Sequence, residues 1–269
     1  MPIVVKLGPR VYPIAELSSY LKYKPIIDRL LTLVMMIVAA PLMVLVAVFI
    51  LIADGRPIFF HQTRVGKDGR LFRIRKFRTM QPDAERCTGA VWSTESDVRV
   101  TRLGRWLRCS HLDELPQLFN VLSGEMNLVG PRPERPEFVE TLSQEVPGYL
   151  ERIRVRPGIT GLAQLRLGYD QDLSGIPQKV AHDLDYIQGA TFAKDLGFLE
   201  MTIPHVAREL HARWIKKRTG DQVGDEATAK QQSRSIESYG IHANGEHEKV
   251  THPLRIQSRV RVFSDSEVA

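Results

Sequence analysis

From Leu30 to Ala53 the chain reads LLTLVMMIVAAPLMVLVAVFILIA, twenty-four residues without a charge. A helix rises about 1.5 Å per residue, so a run of this length covers a hydrocarbon core about 30 Å thick. A single spanning anchor is the plain reading, and two features oppose it. Pro41 sits at the centre, where an interior proline removes one backbone hydrogen bond and crowds the preceding turn, which predicts a bend. Both flanks are cationic: Lys22, Lys24 and Arg29 precede the run, and Arg56, Arg64, Lys67 and Arg70 follow it. Positive charge stays on the cytoplasmic side, so neither end is easily exported. A helix–break–helix hairpin that enters and leaves the same leaflet meets both observations. Proline is also tolerated in spanning helices, and the residues alone leave the two readings open.

The remaining composition narrows the partners. The 269 residues carry 37 Lys and Arg against 31 Asp and Glu, a formal charge of +6. Such a balance suits phosphates, anionic lipid or nucleic acid without choosing among them. Two cysteines, Cys87 and Cys109, lack metal-ligand spacing and fit a reducing compartment as structural thiols. The first twenty residues are mixed in character, and no cleavable signal peptide is evident.

After Gly55 the pattern changes. Apolar runs flank Gly66-Lys67-Asp68-Gly69, which predicts a β-hairpin with a glycine-bounded loop. Its second arm carries Arg73, Arg75, Lys76 and Arg78 beside Leu71, Phe72, Ile74 and Phe77. This is either a solvated basic face or a phosphate-binding face close to a membrane.

In SHLDELPQLFNVLSGEMNLVG, Leu112, Leu115, Leu118, Phe119 and Leu122 recur at helical spacing and Gly124 supplies a stop. Ser110 and Asp113 would form a capping box, but Pro116 would then lie inside the helix. A helix starting near Pro116 instead places Asp113 and Glu114 at its amino end, where free N–H groups and the helix dipole stabilise negative charge. An acidic pair in that place is commonly no more than a cap; it is also a place where a phosphate and a divalent cation can meet.

Further on, Arg132 lies between Pro131 and Pro133, and Arg156 precedes Pro157-Gly158. The prolines stiffen the backbone and restrict the guanidinium, which suits bidentate phosphate recognition as well as a plain rigid turn. Residues 180–217 form an amphipathic helical pattern with Gly189 and Pro204 as expected breaks; core packing and a bilayer surface explain its stripe equally well. From about Thr219 the chain is polar, the composition of a mobile tail. His242, His247 and His252 recur there at a spacing of five, which does not put imidazoles on one helical face. No dinucleotide-binding or P-loop glycine pattern and no repeat occurs.

Taken in order, the greasy run with its central proline, KFRTM, LDELPQLFNVLSGEMNLVGPRP and RPGITGLAQ resemble the bacterial sugar transferase family, the monotopic phosphoglycosyl transferases, from about Lys24 to Val206. GPRPERPEF and LGYD are similar to its exopolysaccharide-priming branch. Many members of that branch carry further amino-terminal membrane helices, so this sequence reads as a minimal form. The resemblance implies an α+β fold, mainly helical with a small β-hairpin, a re-entrant helix–break–helix membrane hairpin turning at Pro41, and interfacial amphipathic helices. The expected division is a flank over 1–21, the membrane hairpin over 22–55, a catalytic domain over 56–217 and a tail over 218–269.

By the same resemblance, the chain transfers a sugar 1-phosphate from a UDP-sugar to polyprenyl (undecaprenyl) phosphate and releases UMP, the first membrane step of exopolysaccharide or related glycan synthesis. Asp113 is then the nucleophile, forming an aspartyl phosphosugar, and Glu114 its partner, both near a Mg2+ ion. Lys76, Arg78, Arg108, Gln117, Arg132, Arg156 and Asp195 match residues around the substrate. The implied location is the cytoplasmic face of a bacterial inner membrane, with membrane lipid as a partner and no nucleic acid. Glucose or galactose phosphate is the expected cargo for that branch, and the sequence leaves an N-acetylated or deoxy sugar open. Ala40 stands where the family has a serine, and His182 and Asp185 replace its tyrosines, which puts any donor preference taken from relatives in doubt. The rival reading is a non-catalytic membrane adaptor whose basic surface binds anionic lipid or partner proteins.

Overall fold

The computed structural model describes residues 17–82, 84, 97–167 and 175–219. The expected tail from residue 220 on, the spaced histidines, Cys87 and LGYD beyond Leu167 lie outside these residues, as does most of the amino-terminal flank.

Helices dominate. α1 (Lys24–Ala53) is followed by a hairpin of β1 (Phe59–Val65) and β2 (Leu71–Phe77), then α2 (Arg102–Cys109). A 3-10 turn over Leu112–Gln117 leads into α3 (Leu118–Leu122), β3 (Asn127–Val129) and α4 (Pro136–Glu145). β4 (Gly158–Thr160), α5 (Leu162–Arg166), α6 (Ile176–Gly189) and α7 (Phe192–Thr219) complete the described chain.

The hairpin expected from the glycine-bounded loop is present. β1 and β2 pair antiparallel from Phe59 opposite Phe77 to Val65 opposite Leu71. Asp68 and Gly69 take left-handed φ at its tip. β3 and β4 form a second, parallel pair that sequence pattern did not announce, because three-residue strands carry no period. Their approach is close enough to require glycine: a Cβ on Gly158 would stand 2.1 Å from the Gly130 nitrogen.

Side-chain alternation on β2 explains how the hairpin joins the core. Phe72 and Ile74 point into an apolar cluster with Leu118, Val121, Leu128 and Ile187. Lys76, two residues further along the same face, comes with them. Asn120 fixes the register from the other side, accepting from the Arg75 N–H (3.0 Å) and donating to the Arg73 carbonyl (2.9 Å) and the Glu125 carboxylate (2.7 Å).

α1 is one helix that runs through Pro41 without the break expected there, and it alone among the described residues is long and apolar enough to cross a membrane. One face packs on the protein along its whole length, through Lys24, Asp28, Thr32, Ala39, Met43, Val46 and Ile50. The other face is bare, with Ile37 and Ile52 about three-quarters exposed at 76% and 77%. At its start, Lys24 lies between Asp28 and Asp195 of α7, while the Leu128 N–H of β3 donates to Asp28 (3.0 Å). At its end, Arg78 Nη2 donates to the carbonyls of Asp54 (2.5 Å) and Gly55 (2.9 Å), and the Thr101 hydroxyl donates to Asp54 (2.8 Å). Both ends are therefore bonded to the same body.

Two boundaries differ from the sequence reading. The helical turn carrying the acid pair begins at Leu112, four residues before Pro116, and a 3-10 turn accommodates the proline where an α-helix would not. Gly189 does end α6, but Pro204 lies inside a continuous α7. α7 and α2 also expose apolar side chains, Ile203, Met201 and Trp106 among them.

Candidate active site

Asp113 and Glu114 occupy the first turn of the 3-10 helix, and both are buried. His111 takes a left-handed φ of 54° immediately before this turn, which turns the chain sharply out of α2. Ser110 does not cap the turn; its hydroxyl donates back to the Trp106 and Leu107 carbonyls and closes α2 instead.

The two carboxylates have different surroundings. Glu114 Oε1 accepts from Lys76 Nζ (2.6 Å) and from Arg132 Nη2 (3.0 Å). Burial works against its charge, but Lys76 and Arg132 override it and hold the carboxyl well below the usual range. Burial pushes Asp113 up to about 6; Lys76 and Arg108 oppose this, and the charge of Glu114 adds to it. One acid is thus neutralised by fixed cations, while the other is buried with its charge opposed by that burial. Such a division gives adjacent acids separate roles.

Arg108 arrives by a specific route. Thr101 caps α2 by accepting from the Gly104 N–H (2.8 Å). Gly104 lets the helix lie against Thr79, whose carbonyl would be 2.0 Å from a Cβ there. Four residues on, Arg108 Nε donates to the Thr79 hydroxyl (2.9 Å). Gln117 is buried one turn after the acid pair, with no hydrogen-bond partner on Nε2 among the described residues.

Arg132 is held from behind. Arg152 Nη2 donates to its carbonyl (3.1 Å), and the same guanidinium pairs with Asp183 (2.7 Å) and donates to the Tyr149 hydroxyl (3.1 Å). Next to it, Glu134 binds Lys179 (2.8 Å) and faces Arg64 (3.7 Å) and Arg152 (4.0 Å). Burial opposes the charge of Glu134, but Lys179, Arg152 and Arg64 bring its pKa down to about 2. Glu134→Gln leaves three cations around a neutral amide, and thermal unfolding is expected to show a loss of about 3–5 kcal/mol near neutral pH. Because the folded carboxyl titrates below its ordinary 4.5, the deficit relative to the parent is full above that pH and closes as pH falls towards about 2.

The other expected residues bond to other parts of the chain. Arg78 Nη2 bonds the carboxyl end of α1, while its Nε and Nη1 are buried with no partner among the described residues. Arg156 Nε donates to the Gly124 carbonyl (2.8 Å). Asp195 is enclosed by Lys24, by the Tyr20 hydroxyl (2.9 Å) and by the Tyr186 hydroxyl (2.9 Å). Asn120, Arg152, Asp183 and Glu134 were not singled out from sequence; an asparagine within the apolar LFNVL was the only local signal for any of them.

Among the described residues no group of three or more His, Cys, Asp or Glu side chains is placed to hold a metal ion. Magnesium needs fewer protein ligands when substrate phosphates and water complete its shell, and one or two carboxylates then suffice. Asp113 and Glu114, whose Oε1 alone is taken by the cations above, fit that partial role.

Comparisons with known proteins show the family. The sequence profile described as bacterial sugar transferase matches residues 19–209. A protein of Aeromonas hydrophila named UDP-N-acetylgalactosamine-undecaprenyl-phosphate N-acetylgalactosaminephosphotransferase is 43% identical over 174 residues, 65% of this chain and 41% of that protein. Two proteins named UDP-glucose:undecaprenyl-phosphate glucose-1-phosphate transferase are similar: 36% identical in Klebsiella pneumoniae, over 67% of this chain and 39% of the relative, and 39% identical in Caulobacter vibrioides, over 67% and 68%. The match thus spans about two-fifths of the length of the Aeromonas and Klebsiella relatives. With most of its described core inside the matched region, the chain belongs to the bacterial sugar transferase family.

Proposed function

We propose that the chain transfers a sugar 1-phosphate from a UDP-sugar to a polyprenyl phosphate by double displacement, with Asp113 as nucleophile. The observation that carries this reading is the asymmetry of the acid pair: Glu114 is bound by Lys76 and Arg132, while Asp113 keeps a carboxylate not committed to either. Family membership and the names of the relatives support the overall transfer, and the double displacement rests on the acid pair.

In the first step an Asp113 carboxylate oxygen bonds to the β-phosphorus. The bond from that phosphorus to the bridging oxygen breaks, and UMP leaves with the electron pair. In the second step a phosphate oxygen of the lipid attacks the same phosphorus, and the Asp113 carboxylate is released unchanged. No net proton is transferred. Covalent catalysis of this kind lets a soluble donor and a lipid acceptor use one centre in turn. Lys76 and Arg132 orient Glu114, and with Arg108 they supply the positive field that an anion needs to approach another anion. Magnesium held by Asp113 and Glu114 would neutralise phosphate charge during transfer.

We place the chain on the cytoplasmic face of a bacterial inner membrane, with α1 as a re-entrant element that bends at Pro41. Support comes from the bonding of both ends of α1 to one body, as a segment that enters and leaves by the same leaflet requires. The bare apolar face of α1 is then covered by lipid. In a variant with both native cysteines replaced, Lys22→Cys and Lys67→Cys are each expected to resist an impermeant maleimide in intact spheroplasts and to react after permeabilisation. Labelling of one from outside would overturn the topology.

The direct test of activity is UMP release by the purified protein with magnesium, undecaprenyl phosphate and a panel of UDP-sugars. The names of the relatives divide between N-acetylgalactosamine and glucose, so the panel must hold both. Release with neither, nor with any other UDP-sugar, would remove the reading.

A further inference from the structure

Arg29 and Arg156 are distant in sequence but meet over Gly124. Arg156 Nε donates to the Gly124 carbonyl (2.8 Å). On the same residue, the space where a Cβ would stand lies 1.9 Å from Arg29 Nη2. Gly124 takes a φ of +79°, so the turn after α3 both suits glycine and admits the guanidinium. Burial, and after it the charge of Arg29, push the pKa of Arg156 down. Two guanidiniums side by side repel. Among the described residues neither has a carboxylate at ion-pair distance, Asp68 acting on Arg156 only as a more distant charge. Arg29 Nε is buried with no hydrogen-bond partner. A buried donor left unsatisfied and a like-charge pair left uncompensated are both relieved by one anion.

The cations that act on the acid pair include Lys76, Arg132, Arg108, His111 and Arg64. Arg29 and Arg156 are a different set on a different turn. Their position indicates where their anion comes from. The uncharged run of α1 begins at the residue after Arg29, and Leu30 and Leu33 are more than half exposed, at 61% and 54%. A phosphate seated here has an apolar surface beside it for a hydrocarbon tail. A phosphate monoester carries about −1.5 to −2 at neutral pH, which matches two guanidiniums, whereas a phospholipid diester carries a single charge.

We propose that Arg29 and Arg156 form a second phosphate site, separate from the arginines at the acid pair, which seats the monoester headgroup of the acceptor lipid at the membrane boundary before that phosphate moves to the phosphosugar on Asp113. This rests on the proposed transferase reading for the identity of the lipid. Binding is measured directly so that the outcome does not depend on turnover. The full chain in phosphatidylcholine nanodiscs is titrated with undecaprenyl phosphate. Arg29→Gln and Arg156→Gln are each expected to weaken binding about tenfold to a hundredfold, the loss of charge-assisted bonds to one phosphate. Arg29→Lys is expected to recover part of the loss. Asp113→Asn, which tests the chemistry, is expected to bind the lipid as the parent does.

In the turnover assay the two glutamine variants are expected to raise KM for the lipid and leave KM for the UDP-sugar within about twofold. Unaltered lipid binding in both variants would overturn the proposal. So would displacement of the lipid by equimolar inorganic phosphate, which would make the site one for free phosphate. Equal displacement by phosphatidylglycerol would make it a general anionic-lipid site and would equally overturn the assignment. A rise in the KM of the UDP-sugar alone would assign these arginines to the donor.

Discussion

Asp113→Asn is expected to lower UMP release by about a thousandfold or more, the usual scale for loss of a covalent nucleophile. The substitution keeps the shape of the side chain and removes only its nucleophilic charge. Glu114 retains Lys76 and Arg132, so the neighbouring ion pairs stay in place. The same variant is expected to melt no earlier than the parent. Burial raises the carboxyl of Asp113 to about 6, and an acid whose folded pKa is raised opposes folding at every pH above its unfolded value. Neutral asparagine removes that penalty, so lost activity with equal or greater stability is the combined signature. A membrane adaptor without catalysis would keep its lipid binding in this variant and would have no UMP release to lose.

Lys24→Met is expected to give the second large effect, on stability. The Lys24 ammonium is wholly buried between Asp28 and Asp195, and Tyr20 and Tyr186 complete the enclosure of Asp195. Methionine fills the space but leaves two buried carboxylates facing each other. Removing one partner from a buried ionic group costs about 3–5 kcal/mol because the remaining charge is uncompensated. Differential scanning fluorimetry in detergent is expected to show an early transition, as the start of α1 is released from β3 and α7. Adding Asp195→Asn to Lys24→Met is expected to recover part of the loss; a pair of effects that simply add would mean that the two side chains do not share an interaction.

What could be read in advance follows the range of the forces involved. The hairpin, the end of α6 at Gly189 and the long apolar segment depend on turn chemistry or period over a few neighbours, and those are written locally. The family motifs marked the acid pair together with Lys76, Arg108 and Arg132, which the fold gathers round it. The helical start was misjudged because the left-handed His111 begins a 3-10 turn, a form that tolerates Pro116 where α-helical rules do not. Pro204 likewise failed to break α7. The parallel pairing of β3 with β4, the bonds of Asn120 to β2, and the buried set of Arg152, Asp183 and Glu134 join residues far apart in sequence; neither periodicity nor motif spacing reports such contacts. Asp195 shows the same limit, since its role as partner of Lys24 spans 171 residues.

The central claim is that a sugar phosphate becomes esterified to Asp113. Incubating the purified chain with magnesium and its UDP-sugar in the absence of lipid acceptor, followed by acid quench and peptide mass spectrometry, measures this directly. The peptide containing Asp113 is expected to gain the mass of one sugar phosphate, less water, and to lose it when undecaprenyl phosphate is added. An unmodified peptide from protein that turns over fully once the lipid is supplied would contradict the account.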